Sequence, residues 1–553
     1  MKFKIALSFL FMVAFVSLQA QSIHIIPFPN EVLKGQGFYT ITPGSKIVSP
    51  QKSIKTSKIL QKDIQEAIGK KIEIVKSENT EEGAINFIYN GNFKKEQYSL
   101  VVSKDMIKII ALDNTGWFYG VQSLLQLFPS IPDSKSTPVS LLKIQEVTIN
   151  DAPRFHWRGF MLDEGRHFKG KKQVELLLDE MALMKMNVFH WHLTDDQGWR
   201  IEIKKYPLLT KIGSRRKSTQ IQEGSFKWHS PVQSGEPHEG FYTQKEIKEI
   251  VKYASERHIT VVPEIEMPGH CGAAIASYPW LGSDKKKIDV PVTFGTKESA
   301  YDISDPKVYE FLSDVLKEVM ELFPSNVIHI GGDEVIYKQW SASKTIQSYM
   351  EKKNINTYAE LQIFFTDSIS QYLHIKGRVM MGWNEVLGQN IHKFQVDKKQ
   401  GTANSGDKNF CQLDKKTIIQ FWIGKPELLA QAAREGYRIV NSLYTETYVS
   451  LEYHKLPLSR AYAFDPIPSN FDQEMSSKII GIESALWGEW VATKGYMDFL
   501  TFPRIAAFAE TGWTDKENKN FGRFRDSLTK LKQHWDQKGI YYAKDKFVEK
   551  NKK

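Results

Sequence analysis

The chain has 553 residues, 74 Lys and Arg against 64 Asp and Glu for a formal charge of +10, and only two cysteines, Cys271 and Cys411. Two thiols in so long a chain exclude a disulfide framework as the source of stability, so the fold must rest on a large core. The positive charge is spread without blocks of one sign, which favours a lysine-rich solvated surface over a nucleic-acid partner.

Met1 to Ala20, MKFKIALSFLFMVAFVSLQA, carries Lys2 and Lys4, an apolar stretch and a small residue, the layout of a secretory signal peptide cut before Gln21. Losing those two lysines takes the charge from +10 to +8, and the expected location is periplasmic or secreted. The apolar stretch is too short and too closely followed by polar sequence for an anchor, and no other segment predicts a membrane span.

From 21 to 150, strand-like runs (IVSP, IEIV, INFIY, YSLVV, IKIIAL) alternate with helical stretches at Thr56–Ile68 and Thr115–Phe128. This predicts a small α+β domain. It gathers no acids, histidines or cysteines at a catalytic spacing and reads as a scaffold.

From 151 to 513 the rhythm changes to eight short apolar runs that end in polar or aromatic residues: GFMLDEGR, NVFHWHLTDD, ITVVPEIEMPGH, NVIHIGGDE, RVMMGWNE, TIIQFW, YRIVNS and IIGIESALWGE. Helical patterns separate most of them, among them Lys171–Met186, Thr243–Arg257, Pro306–Leu322 and Tyr358–Ile375. Eight buried strands alternating with helices predict a parallel (β/α)8 TIM barrel, whose catalytic groups sit at the C-terminal ends of the strands. Arg166, Asp195 with Asp196, Glu264 to His270, Asp333 with Glu334, Trp383, Trp422, and Trp487 with Glu489 all fall there. Residues 514 to 553 predict an amphipathic helix, Phe521–Trp535, packed on the barrel, and a frayed polar tail, KDKFVEKNKK.

The run VIHIGGDEV ends with Asp333 and Glu334 side by side. Glycosidases that use two carboxylates set them about 5 to 9 Å apart across a sugar, which neighbours on one loop tip cannot do. If this pair is catalytic, the nucleophile comes from elsewhere.

HIGGDE at His329 to Glu334, WHLTDDQGWR at Trp191 to Arg200, PEIEMPGH at Pro263 to His270, RHF at Arg166 to Phe168, GWNE at Gly382 to Glu385 and WGE at Trp487 to Glu489 resemble the β-N-acetylhexosaminidases of glycoside hydrolase family 20. In that family the substrate's own 2-acetamido oxygen attacks the anomeric carbon. The resemblance implies an exo-acting, retaining enzyme that removes terminal β-linked GlcNAc or GalNAc from a glycan or chitooligosaccharide, with no cofactor and no metal. It implies that Asp333 accepts the acetamido N–H, that Glu334 is the acid and then the base, and that Asp195 and His270 position and tune the acid. Trp383, Trp422 and Trp487 would wall the sugar pocket, Arg166 and Glu489 would bind hydroxyls, and Trp191 and Trp199 would be structural. An acid that holds its proton near neutral pH needs desolvation or a negative neighbour, and Asp333 is one.

One stretch departs from the family pattern. TETYVSLEY, Thr445 to Tyr453, places Tyr448 on the tyrosine that bonds the acetamido carbonyl and Ser450 where an aspartate normally binds the outer hydroxyls. A shifted loop would instead bring in Glu452 or Tyr453. Two other classes compete: a non-catalytic sugar-binding barrel, and a metal-dependent hydrolase using His190, His192, Asp195 and Asp196. The second lacks a clear third histidine nearby, and survival of activity under a chelator separates it from the first reading.

Overall fold

The structure, a computed structural model, describes residues 23–133, 137–221, 228, 230–295, 299–388 and 413–549. The predicted signal peptide and Cys411 lie outside them. Among the described residues no helix is long and apolar enough to cross a membrane.

The N-terminal part is a seven-stranded mixed sheet. Its strands are β1 (Glu31–Ile41), β2 (Lys46–Ser49), β3 (Glu73–Lys76), β4 (Ala84–Tyr89), β5 (Tyr98–Val102), β6 (Ile107–Ala111) and β7 (Leu142–Asp151). They lie in the order β1-β7-β5-β6-β4-β2-β3. Helix α1 (Ile54–Ile68) packs against β2 and β3, and α2 (Asn114–Leu127) against β5 and β6. Asp113 caps α2 by accepting from Gly116 N, and Gly69 ends α1 in the left-handed conformation it tolerates best. In β6 the isoleucines at 107 and 109 are buried while Lys108 is half-exposed, the alternation of a sheet with one covered face.

Eight parallel strands then close into a barrel: Trp157–Asp163, Val188–His192, Thr260–Glu264, Val327–His329, Val379–Trp383, Ile418–Phe421, Arg438–Asn441 and Ile479–Leu486. Every second residue points inward. The lowest layer inside is apolar, built from Trp157, Val188, Val262, Met381, Ile418 and Val440. The next is polar and fully buried, with His190, Glu264, His329, Gln420 and Glu483. Above it Met161, Trp383 and Ala485 meet Tyr448 beneath the pocket. The polar layer has room because Gly159 lacks a side chain: a Cβ there would lie 2.3 Å from Glu483 Oε2.

The helices follow their caps. Thr243 and Thr357 each form a capping box, with Glu246 and Glu360, and start the helices Gln244–Ser255 and Tyr358–Ile375. The helix predicted over Lys171–Met186 stops at Leu183, where Lys185 turns left-handed and Met186 N bonds back to Met181 O. The C-terminal helix runs Phe521–Lys538 and ends on left-handed Gly539. Of the tail expected to fray, the described part forms a helical turn, Asp545–Val548, because Val548 buries itself and Asp545 pairs with Lys532, and residues 550–553 lie outside the described residues.

The sheet domain is seated on the barrel by buried polar contacts. Arg158 donates to Glu96 Oε1 at 2.8 Å and to the Tyr119 hydroxyl at 2.9 Å. Asp151 accepts from the Tyr98 hydroxyl at 2.6 Å, from Trp513 Nε1 and from Lys185 Nζ at 3.2 Å.

Candidate active site

The acidic pair stands on the loop after the fourth barrel strand. Gly331, Gly332 and Glu334 all have positive φ, of 66°, 88° and 48°. A Cβ on Gly331 would lie 1.7 Å from Glu266 Oε2, and one on Gly332 would lie 2.5 Å from a methyl of Val386. The two glycines therefore let the chain turn sharply over Glu266 and lift both acids to the barrel mouth. Glu334, not a glycine, holds a left-handed backbone at its tip, a strained conformation of the kind that clusters at functional sites.

Asp333 is buried, and burial pushes its carboxyl up to about 7 against the opposing pull of His270. Glu334 keeps 27% of its side chain exposed and faces the cavity. His270 Nε2 lies 3.5 Å from Glu334 and 3.8 Å from Asp333, and its Nδ1 lies 3.4 Å from Asp195 and 3.3 Å from Asp196. Burial disfavours the charged ring, but Asp195 and Asp333 outweigh it and hold His270 well above the usual imidazole range. Burial also disfavours the Asp195 carboxylate, yet Arg166 and His270 hold it well below the usual range. Arg166 Nη1 completes the row at 2.8 Å from Asp195 Oδ2. Arg166, Asp195, His270 and the Asp333–Glu334 pair thus form a line of alternating charge, each member set by its neighbour.

All of this row but Asp195, which stands behind the wall, lines a cavity of about 530 Å³. Arg166, His270, Asp333, Glu334, Trp422, Tyr448, Trp487 and Glu489 all contribute to its wall. Trp422 is oriented by Nε1 donating to Glu385 at 2.8 Å, and Arg166 lies 5.0 Å over the Trp487 ring. Burial pushes Glu489 up to about 7, with Arg166 opposing. At the cavity base the Tyr448 hydroxyl and Asp333 Oδ1 are buried with no hydrogen-bond partner. A donor and an acceptor left so, side by side with aromatic rings, are ready for a ligand group that offers both an N–H and a carbonyl.

Trp383 stands directly behind the lining residues. Its ring is wholly buried and takes no part in the open wall, since Nε1 donates to Glu264 at 2.8 Å and the ring backs Trp422 and Trp487 at 6.4 and 5.6 Å between centroids. Trp191 and Trp199 are buried away from the cavity, donating to Glu164 and to Ile201 O. The TETYVSLEY alternatives also separate. Ser450 lines the cavity, whereas Glu452 is absent from the lining and pairs with His454 at 2.9 Å. Tyr453 is buried and donates to Phe502 O.

The fold brings up a third histidine, His329, 4.5 Å from His190 between ring centroids. It does not open a metal site onto the cavity. Glu264 already faces four nitrogens, those of His329, Trp383, His190 and His192 at 2.9, 2.8, 3.0 and 2.5 Å, and all five residues are fully buried. Those contacts use the lone pairs that a metal would need. Burial disfavours both charged rings, but Glu483 and Glu264 raise His190 to about 9, and Glu264 and Asp195 raise His192 to about 10, so both serve as cations balancing carboxylates.

Several contributors were given no role by the sequence reading. Glu266 sits in the PEIEMPGH motif, buried, both oxygens unpartnered, and burial with Asp333 nearby holds it protonated. Lys455 and Trp490 also line the cavity, from loops whose sequence carries no periodic signal, as does Tyr496 from the short helix Lys494–Thr501. Trp228 joins them at the rim, 5.7 Å from Trp490.

Residues 155–516 match the family model described as glycosyl hydrolase family 20, catalytic domain, and residues 22–152 match glycosyl hydrolase family 20, domain 2. A beta-hexosaminidase of Porphyromonas gingivalis is 33% identical over 541 residues, covering 94% of this chain but 64% of the relative. One from Vibrio furnissii is 32% identical over 513 residues, covering 90% of this chain and 77% of the relative. The solved structure of an exo β-N-acetylglucosaminidase from Vibrio harveyi, in complex with N-acetylglucosamine, aligns with a TM-score of 0.78 at 30% identity, covering 94% of this chain and 78% of that one. With the catalytic domain and the domain before it both matched in order, the chain belongs to glycosyl hydrolase family 20 and is a glycoside hydrolase.

Proposed function

We propose that the protein is an exported, exo-acting β-N-acetylhexosaminidase that retains anomeric configuration through participation of the substrate's 2-acetamido group. The observation that carries this reading is the pair of unpartnered groups at the cavity base, the Tyr448 hydroxyl and Asp333 Oδ1, beside Glu334. An acetamido group placed there gives its N–H to Asp333 and accepts from Tyr448. Its carbonyl oxygen is then held under the anomeric carbon, as an intramolecular nucleophile requires.

In this reading Glu334 donates its proton to the glycosidic oxygen as the acetamido oxygen closes on the anomeric carbon, and the leaving sugar departs as an alcohol. The positive charge that spreads onto the amide nitrogen is balanced by the Asp333 carboxylate. Glu334, now ionised, takes a proton from water as that water adds to the anomeric carbon and opens the ring of the intermediate. Each partial reaction inverts, so the product keeps the β configuration. Arg166 and Glu489 bind outer hydroxyls, while the Trp422 and Trp487 faces exclude water and cover the apolar face of the sugar.

Two measurements test the reading together. Proton NMR of early turnover should show the β anomer of N-acetylhexosamine, and a stable thiazoline mimic of the cyclised intermediate should inhibit far more tightly than the free sugar, as intermediate-like ligands do. An α-anomeric first product overturns the reading. For export, N-terminal sequencing of the mature protein should begin at Gln21.

A further inference from the structure

The loop that carries the acid pair leaves the barrel in two steps. As far as Gly331 the sheet holds it: Ile330 N donates to Met381 O at 2.9 Å, Ile330 O accepts from Met267 N at 3.0 Å, and Gly331 O accepts from Trp383 N at 3.0 Å. The chain then turns over Glu266 through left-handed Gly331 and Gly332, and Glu334 takes up the same strained conformation with a full side chain. Strain of this kind persists only where the surroundings over-determine it.

Beyond the barrel, a side chain of the next helix takes hold. Gln362, 1% exposed in the helix Tyr358–Ile375, donates from Nε2 to Gly332 O at 2.8 Å, and its Oε1 accepts from the Tyr337 hydroxyl at 2.8 Å. Gly332 O can only accept, so the amide nitrogen must face it, which turns the amide oxygen to Tyr337. Burial, with Glu385 nearby, pushes the Tyr337 hydroxyl up, so it stays protonated and donates. Tyr337 is itself fixed: its ring stacks on Trp340 at 5.6 Å and 18°, and Trp340 Nε1 donates to Tyr301 O at 3.0 Å. One planar amide therefore grips the loop on both sides of the acids, at Gly332 before them and at Tyr337 after them.

From these contacts we infer that Gln362 is a positioning residue for the acid. By clipping residues 332 to 337 into one fixed turn, it keeps Glu334 left-handed, with its carboxyl facing the cavity and 3.5 Å from His270. This inference rests on the acid role proposed for Glu334 above. Gln362 is absent from the cavity lining, so it acts only through the loop. Without the clip the conformational freedom of Gly332 lets the turn relax, and a shift of about 1 Å is enough to spoil proton delivery to the glycosidic oxygen.

The test uses Gln362→Met, which keeps the length and bulk of the side chain but removes both bonds, and Tyr337→Phe, which removes only the second. For these, wild type and Glu334→Gln, kcat and KM are measured on an aryl β-GlcNAc with a good leaving group and on an alkyl β-GlcNAc with a poor one, together with melting temperature. Only the poor leaving group needs protonation, so a misplaced acid is read from the ratio of the two kcat/KM values. Gln362→Met should lower kcat on the alkyl substrate by about tenfold or more beyond any loss on the aryl one, with little change in KM, and Tyr337→Phe should move the ratio the same way by less. If Gln362→Met does not fold, Tyr337→Phe decides by the same ratio. Variants that melt lower yet lose both substrates equally, while Glu334→Gln still discriminates between them, make Gln362 a packing residue and overturn the inference. If Glu334→Gln itself costs both substrates alike, the acid role fails, and with it the reading on which the inference rests.

Discussion

Asp333 and Glu334 are neighbours in sequence but differ in environment. Asp333 is buried beside His270 and raised to about 7, while Glu334 stays part-exposed at the tip. The proposed role of Asp333 requires the anion, so kcat/KM should fall as pH drops through about 7, where its carboxyl takes up a proton. His270 opposes that rise, so His270→Asn should move the acid limb of the profile to higher pH. A limb left in place would show that His270 does not tune Asp333. Gly331→Ala tests the turn beneath the pair. A methyl there meets Glu266 and keeps a positive φ, so the variant should lose at least ~2 kcal/mol in thermal or denaturant melts, combining overpacking with left-handed strain. Unchanged stability would mean that Glu266 readily moves aside. The motifs exposed most of these residues in the sequence, because acids, histidines and tryptophans at strand ends stand out against an apolar background. Lys455 did not, since one lysine in a lysine-rich chain carries no signal until a cavity forms around it.

At the scale of elements, the helices Pro306–Leu322 and Tyr358–Ile375 were legible to the residue, because Asp305 with Pro306 and Thr357 with Glu360 mark where they start. The polar layer inside the barrel was not legible. His190, His192 and His329 alternate with apolar residues as any inward position does, and nothing local shows that Glu264 and Glu483 from other strands meet them. This layer makes a prediction of its own. His190 and His192 are raised above 6.5 to about 9 and about 10 by their carboxylate partners, so they bind protons more tightly folded than unfolded. Their stabilisation is complete below about 6.5 and is lost as pH rises through 9 to 10. Melting temperature should therefore drop over that interval, and His190→Gln should flatten the drop. An equally steep loss in the variant would assign the alkaline sensitivity to other groups.

For the whole molecule, the order of a sheet domain followed by a barrel was readable from the change of rhythm near Asp151. How the two parts join was not. Asp151 accepts from Trp513, 362 positions later in the chain, and Lys185 reaches it from the turn after a barrel helix. Such contacts depend on the closed barrel bringing its last helix beside its first strand. The buried junction fixes the sheet domain to the side of the barrel, where the strands meet Arg158 and Lys185, and leaves the C-terminal mouth to the loops that carry the site. In the proposed mechanism, a cavity with Glu334 as its acid–base carboxylate and an amide receptor at its base works only on a sugar that brings its own nucleophile.

The most direct test of that claim is kcat/KM for an aryl β-GlcNAc against the matching aryl β-glucoside, which differs in having a hydroxyl in place of the acetamido group. The glucoside should be slower by about three orders of magnitude or more, the scale set by losing a positioned intramolecular nucleophile. Comparable rates for the two substrates would contradict the account, because some other group would then be attacking the anomeric carbon.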